Sequence, residues 1–377
     1  MSPHKRIILM YISDVSGHRN AALAVERAIK ILRPGTETLS INAFGYTNPI
    51  SEKIVNHIYM GVIKRMPKIW DYLYDNPDVA RNIQKIKAGI HRANSPKFQA
   101  LFDKFKPDAI ICTQAFPCGM VADYKKAYNS HIPLIAVLTD YAPHSYWIYD
   151  TVDYYITPSE DIALRLIKKG VAHNKVKSFG IPFDPKFNEP IEPYRIMHKL
   201  KLELGTPTVL IMGGGQGLGP VKKIIKSLEK TKVHLQEIIV AGTNRKLYDS
   251  LKKKIKKSKK KILLFGYVNN IHELMGISDL IITKPGGVTT AEVLAKRIPM
   301  VIVNPLPGQE ISNTLYLAEK GVAVKADDPK NIHVIVDELF TKPEKLSRMR
   351  EAAAYIGKPQ SSMDIARLVL KLSQQHV

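Results

Sequence analysis

Cysteine is almost missing from this chain: Cys112 and Cys118 are the only two among 377 residues. Two cysteines cannot build a disulfide framework or a four-ligand zinc finger, and they fit a reducing compartment. Long apolar runs are missing too. No stretch reaches the ~18 consecutive apolar residues of a membrane-spanning helix, so a spanning helix is not expected. Acidic residues are scarce, with 34 Asp and Glu against 56 Lys and Arg, which leaves a formal net charge of +22. That imbalance calls for an anionic partner: nucleic acid, acidic lipid headgroups or a phosphorylated substrate. Nucleic acid lacks its reading elements, because there is no aromatic RNP-type strand, no paired Cys/His finger and no helix-turn-helix. No carboxylate cluster of metal-binding type is visible, so no metal is expected. The start, MSPHKRIILMYIS, is basic and then briefly apolar, but Asp14 follows without a cleavage-type segment. It reads as a first strand rather than a signal peptide.

What is present is the composition of a folded protein, with 45% hydrophobic and 24% charged residues. The length suggests two domains. RIILMYIS, DAIICT, PLIAVLT and DYYITPS are short apolar runs, each followed by turn residues or a helical pattern. After the proline-rich stretch Gly180 to Pro193 the rhythm restarts with TVLIMGG, EIIVAGT, KILLFG, LIITKPG and MVIVNP. Near-continuous apolar strands alternating with helices predict two doubly wound parallel α/β domains. The segment from Ile50 to Lys106 breaks the pattern. Its aromatic residues Trp70, Tyr72 and Tyr74 lie beside Lys64, Arg65 and Lys68. It reads either as a core-packed helical excursion or as a basic amphipathic surface for a membrane interface. The lysine run KKKIKKSKKK, Lys252 to Lys261, reads first as a solvated face.

Four motifs carry candidate chemistry. SGHRNAA (Ser16 to Ala22) follows the first strand; Gly17 lets backbone approach a ligand, and His18 is either a general base or a capping or packing residue. GGGQGLGP (Gly213 to Pro220) clusters glycines between a strand and a helix, which exposes N–H groups to an anion, yet it is neither a Walker A loop nor a well-ordered Rossmann fingerprint. FGYV (Phe265 to Val268) is a turn able to present backbone to a planar base. TKPGGVTTAEVLAKRIPMVIVNPLPGQEISN (Thr283 to Asn313) sets two turns around one helix-strand unit. There, PGG opens a helix whose N-terminus favours phosphate. Thr289 and Glu292 have capping-box spacing, but Glu292 is equally suited to accept ribose hydroxyls. GQE lies at the carboxyl end of a strand, where ligands bind in open α/β sheets.

Taken together and in order, SGHRNAA, LTDYAPHSYW (Leu138 to Trp147), YYITPSED, GIPFDPKF, MGGGQGLG, FGYV and KPGGVTTAEVLAKRIPMVIVNPLPGQEISN resemble the GT-B glycosyltransferases. The branch is that of the monogalactosyldiacylglycerol synthases and processive diacylglycerol glucosyltransferases, with the peptidoglycan lipid-linked N-acetylglucosaminyltransferase as a more distant relative. The resemblance implies two Rossmann-like domains facing a central cleft. Residues 1–183 would bind the acceptor and dock on a membrane, 184–358 would bind a UDP-sugar, and 359–377 would form a helix packing back toward the first domain. It implies that His18 deprotonates the acceptor hydroxyl, in a loop less glycine-rich than is usual for the family because Asp14, Val15 and Ser16 replace part of it. By the same resemblance Gly213, Gly214, Gly215, Gln216 and Gly217 border the donor phosphates and sugar, and Phe265, Gly266, Tyr267 and Val268 hold the uracil. Gly286, Gly287 and Thr289 take the diphosphate, Glu292 the ribose, and Gln309 and Glu310 the hexose, with Asn313 nearby. Gly17, Asp140, His144 and Trp147 line the acceptor side. The expected partners are a UDP-hexose, diacylglycerol and an anionic membrane surface on the cytoplasmic face, with no cofactor, since the UDP-sugar is a substrate. The alternatives are N-acetylglucosamine transfer to an isoprenoid-linked acceptor, and a UDP-sugar epimerase of the same fold. The sequence does not choose between glucose and galactose, nor does it show whether further sugars are added.

Overall fold

The computed structural model describes residues 4–47, 96–143, 145–256, 258 and 260–374. The chain divides into two compact units. The first gathers the described residues up to Pro185, those of Pro307–Gln309, and those from Gln360 onward; the second is Lys186–Leu306 with Glu310–Pro359.

Each unit is built on a six-stranded sheet, and every strand pair in both sheets is parallel. In the first unit the strands are β1 (Arg6–Tyr11), β2 (Glu37–Asn42), β3 (Ala109–Cys112), β4 (Leu134–Val137), β5 (Tyr154–Ile156) and β6 (Val176–Lys177), in the order β2-β1-β3-β4-β5-β6. In the second they are β7 (Thr208–Met212), β8 (Gln236–Val240), β9 (Ile262–Phe265), β10 (Leu280–Thr283), β11 (Met300–Val303) and β12 (Ala323–Ala326), in the order β12-β11-β10-β7-β8-β9. Both orders reverse direction once, between β1 and β3 and between β7 and β10. Connections leave such a pair toward opposite faces, so a crevice opens at its carboxyl end, and that is where ligands of open α/β sheets bind.

The central strands are buried on both faces, as their unbroken apolar sequences require. In the first unit Ile7, Leu9, Ile111, Ile135 and Val137 form one core with Val25 and Ile29 of helix α1 (Gly17–Leu32). The C-terminal helix Ser361–Leu372 adds Ile365, Val369 and Leu370 to that same core. Each such side chain contributes roughly 1.5–3 kcal/mol on full burial. The helix is further tied to the first unit where Ser362 Oγ donates to the Phe183 carbonyl at 2.5 Å and accepts from its N–H at 3.1 Å. The core of the second unit joins Val209, Ile211, Ile239, Ile282 and Val301 to Ile224 and Val336 of flanking helices.

The described end of the Ile50 to Lys106 excursion is a helix over 96–105 with Phe98 and Phe102 buried, and Phe102 packs edge-on against Tyr124 at 4.9 Å. That part is core. Trp70, Tyr72 and Tyr74 lie outside the described residues. The lysine run is divided. Lys252 and Lys253 are exposed, whereas Lys254 and Lys260 donate to the carbonyls of Lys222 and Leu228 at 3.2 and 2.6 Å. No helix among the described residues is long and apolar enough to cross a membrane.

Candidate active site

The first crevice, at β1 and β3, is organised around one imidazole. The turn after β1 ends at Ser16, which is extended and caps α1 by accepting the Arg19 N–H at 3.2 Å. A serine N-cap of this kind stabilises a helix by about 1 kcal/mol, and it supplies the start signal that a glycine-rich loop would lack. Gly17 and His18 therefore stand on the first helical turn rather than in a free loop. From there His18 Nδ1 reaches across the crevice to the Thr113 carbonyl, 2.9 Å away at the end of β3, while Thr113 Oγ1 donates to the His18 carbonyl at 2.8 Å. A carbonyl only accepts, so Nδ1 carries the proton and Nε2 keeps its lone pair. The Thr139 hydroxyl, from LTDY after β4, lies 3.0 Å from the same Nδ1 and 3.5 Å from Asp140 Oδ2. Burial of the imidazole pushes its pKa down to about 4, against the opposing pull of the Thr113 carbonyl, so His18 is neutral at ordinary pH.

Of the other acceptor-side candidates, Asp140 is half-buried beside Thr139. Trp147 is buried in the first unit, only 5% exposed, in a single 3-10 turn, Ser145–Trp147. It therefore belongs to the wall behind any acceptor surface. His144 lies outside the described residues. Thr113 and Thr139 were missed by the sequence reading; their signal is a threonine at the carboxyl end of each apolar run, in IICT and AVLT.

The second crevice, at β7 and β10, is lined by backbone. The turn after β7 folds on itself, with the Leu218 N–H donating to the Gly213 carbonyl at 2.9 Å. A Cβ at Gly213 would meet the Leu218 carbonyl oxygen at 1.8 Å. Gly217 has φ 57° and an equally filled surrounding, for its Cβ would meet the Ala241 oxygen at 1.9 Å. The turn after β8 clamps the loop from below: the Thr243 N–H donates to the Gly215 carbonyl at 2.9 Å and Asn244 Nδ2 to the Gly217 carbonyl at 3.2 Å. Gly215 and Gly286 differ from these. Neither has a positive φ, and a Cβ on either would touch nothing within 4 Å among the described residues. No described residue requires glycine at these two positions, one on each side of the crevice. What their missing side chains provide is room for an external group close to the backbone. Gln216 is exposed beside Gly215.

Across the crevice the helix Gly287–Ala295 begins directly after the PGG turn, with Gly286 at its N-cap and no side chain capping it. The capping-box alternative for Thr289 and Glu292 is thereby overturned, because both residues lie inside the helix and Thr289 is not at its start. The physical reason is the PGG sequence itself: the chain enters helical geometry at Gly287, two residues ahead of Thr289, and the first-turn N–H groups have no side-chain cap. Glu292 stands half-buried farther along this helix. FGYV leaves β9 with Phe265, Gly266 and Val268 half-buried and Tyr267 65% exposed.

The GQE turn starts the helix Gln309–Glu319. Glu310 is already engaged there, with one oxygen on Lys284 Nζ at 2.9 Å and the other accepting the Leu306 N–H at 2.7 Å. Asn313 is fully buried and donates to the Pro285 carbonyl at 2.9 Å, so it fixes the PGG turn to the GQE helix. Lys284 was not singled out from the sequence, although it immediately precedes PGG. Among the described residues, no group of three or more His, Cys, Asp and Glu is placed to hold a metal ion.

Two family models match the chain: monogalactosyldiacylglycerol (MGDG) synthase over residues 18–183 and the glycosyltransferase family 28 C-terminal domain over residues 208–368. The chain is similar to the processive diacylglycerol beta-glucosyltransferase of Bacillus mycoides, 29% identical over 98% of this chain and 94% of that one. Among solved structures it is similar in fold to Acinetobacter baumannii MurG, with TM-score 0.62 and 15% identity over 97% of this chain and 99% of the other. A Staphylococcus aureus MnaA–UDP co-structure has TM-score 0.64 and 16% identity over 98% and 97% of the two chains.

Proposed function

We propose that this chain, which belongs to the GT-B glycosyltransferases of the monogalactosyldiacylglycerol synthase and processive diacylglycerol glucosyltransferase family, transfers a hexose from a UDP-sugar to the free hydroxyl of diacylglycerol. The observation that carries the reading is the pairing of Gly215 and Gly286 across the second crevice, both without an internal need for glycine. That pairing suits a bulky, backbone-hugging anion such as a sugar nucleotide. The name of the Bacillus mycoides relative, a diacylglycerol beta-glucosyltransferase, supports the lipid acceptor. The UDP of the Staphylococcus aureus co-structure supports the donor nucleotide.

In this reading Phe265 to Val268 face the uracil, Glu292 takes the ribose hydroxyls, and Gly286, Gly287 and Thr289 take the diphosphate. Gly213 to Gly217 border phosphates and hexose, and Gln309 and Glu310 orient the hexose, with Asn313 acting through Pro285. Gly17 and Asp140 face the acceptor, with Trp147 behind them, and His144 is assigned a part in acceptor binding. The lipid hydroxyl gives its proton to His18 Nε2, the lone pair left free by the Nδ1–Thr113 bond. Its oxygen then forms a bond to the anomeric carbon as the bond from that carbon to the phosphate oxygen breaks, with inversion, and UDP departs with the electron pair. The N–H groups and positive end of the helix Gly287–Ala295 stabilise the charge that builds on the diphosphate. The reaction as written consumes only the two substrates. The excess of lysine and arginine serves docking on an anionic bilayer, where each such residue near the surface contributes about 1 kcal/mol.

Incubation with radiolabelled UDP-glucose or UDP-galactose and diacylglycerol liposomes, followed by thin-layer chromatography, tests donor, acceptor and processivity together. A labelled glycolipid is expected with at least one donor, and none with either would sink the reading. Flotation with vesicles should carry the chain upward only when anionic lipid is present and salt is low. Flotation indifferent to lipid charge and salt would remove the docking claim.

A further inference from the structure

Lys284 spans the second crevice. It is the first residue after β10, its aliphatic stem lies 3.9 Å from where a Gly219 side chain would begin, and its ammonium ends on Glu310 at 2.9 Å. The pair is largely desolvated, with side-chain exposures of 11% and 19%. A buried pair of this kind is poor evidence of a stabilising device, since the desolvation cost offsets most of the attraction. Its position explains it better. The stem lies against the glycine turn after β7, the ammonium reaches the first turn of the helix Gln309–Glu319, and Lys284 itself adjoins the PGG turn, so it touches the segments to which the diphosphate and hexose are assigned. A flexible four-carbon stem lets it move while its charge stays fixed.

We infer that Lys284 is a diphosphate-binding residue that Glu310 holds until the donor arrives, and that donor binding exchanges the partners of both. This rests on the UDP-sugar reading above. A diphosphate carries more charge than a carboxylate and draws the ammonium away. Glu310 keeps the Leu306 N–H and remains in the first turn of its own helix, which favours a carboxylate. The oxygen it loses from Lys284 is then the acceptor for a hexose hydroxyl. One ion pair thus couples the phosphate half of the donor to the sugar half. As the glycosidic bond breaks, the same ammonium neutralises charge on the leaving diphosphate.

Calorimetric titration of uridine, UDP and UDP-glucose into the whole chain tests this, using wild type, Lys284→Met, Lys284→Arg and Glu310→Gln, with melting temperatures in parallel. Lys284→Met is expected to weaken UDP by about tenfold to a hundredfold, the usual loss for a hydrogen bond to a charged group, and to change uridine by less than about twofold. Lys284→Arg should restore most of the UDP affinity. Glu310→Gln should bind UDP more tightly than wild type, because the competing carboxylate is gone, while the added affinity of UDP-glucose over UDP shrinks. A pair that only holds the fold would make both neutralising variants melt lower and bind uridine and UDP equally less well, which overturns the inference. Unchanged UDP affinity in Lys284→Met overturns it as well. Wild-type protein that binds neither uridine nor UDP overturns the nucleotide reading itself, and the exchange with it.

Discussion

At the carboxyl ends of β1 and β3 the chain places one histidine ring on a backbone carbonyl, whereas at the carboxyl ends of β7 and β10 it places glycines and a lysine. The two crevices share a topology, a parallel pair whose connections diverge. They differ in what fills the gap. In the first, the proposed base is a side-chain lone pair, and Ser16, Thr113 and Thr139 fix the ring that carries it. In the second, the groups proposed to meet the diphosphate are mainly backbone N–H donors, left open by glycines beside one lysine–glutamate pair. A base needs one atom oriented, and a diphosphate needs many donors left open. Identical frames therefore carry opposite sequence signatures: polar residues around a single histidine in one, clustered glycine in the other.

The comparison breaks most sharply at His18. Replacing it with alanine should lower kcat by about 10²–10⁴-fold, the usual share of a general base, while UDP affinity stays at the wild-type value. A fall in UDP affinity of comparable size would merge the two crevices into one functional unit and remove the division of labour. The acid limb of kcat/KM in the wild type should fall near pH 4, where the free chain's His18 gains its proton, rather than near the ordinary 6.5.

Within the second crevice, two glycines should answer differently to the same change. Gly217→Ala forces a Cβ into the Ala241 carbonyl at a positive φ, so the loop must move. The expected loss is about 3–4 kcal/mol of stability, read as a drop in the chemical denaturation midpoint. Gly215→Ala meets none of the described residues, so stability should stay within about 0.5 kcal/mol while UDP binding weakens about tenfold. Equal stability losses would mean that both glycines serve the loop, and the ligand argument from Gly215 would fail.

How much of this was legible depended on whether a residue's role is local. Nine strands announce themselves as apolar runs; eight are central parallel strands, which are buried on both faces, and the ninth, β9, is a half-buried edge strand with an unbroken apolar sequence. The three that the sequence reading passed over, β2, β6 and β12, are all edge strands. β2 reads ETLSIN and has no fully buried residue, and β6 is only two residues long. The site divides in the same way. Gly213 to Gly217 and PGG are visible because glycine clusters are unusual between strand and helix. Thr113, Thr139 and Asn244 are not, because an isolated polar residue after a strand looks like any turn. Their meaning comes from partners 95, 121 and 27 positions away in the chain. Lys284 was hidden by its neighbours: PGG explained the turn, and a lysine in a chain this basic attracts no notice.

A further expected effect lies away from both crevices, at the amino end of β8. Glu237 is fully buried there, and neither carboxylate oxygen has a hydrogen-bond partner among the described residues. Burial drives its pKa up to about 7, with Lys260 pulling the other way. The sign opposes that of His18. His18 resists a proton that the unfolded chain accepts, so its contribution is present above about 6.5 and is lost as pH falls toward 4. Glu237 holds a proton that the unfolded chain releases, so its contribution is present below about 4.5 and is lost as pH rises through 7. At about 1.4 kcal/mol per pH unit, the gap is worth at most about 3.5 kcal/mol, less where surrounding charge relaxes. Glu237→Gln keeps the shape without the titration. It should melt with the wild type at pH 4.5 and a few degrees higher at pH 8, by calorimetry of the whole chain. The gain should appear in the transition of the second unit alone if the two units unfold separately. A variant that melts lower than the wild type at pH 8 would mean that the ionised carboxylate is held by a favourable partner there, and the opposition between a base-sensitive second unit and an acid-sensitive first would be lost.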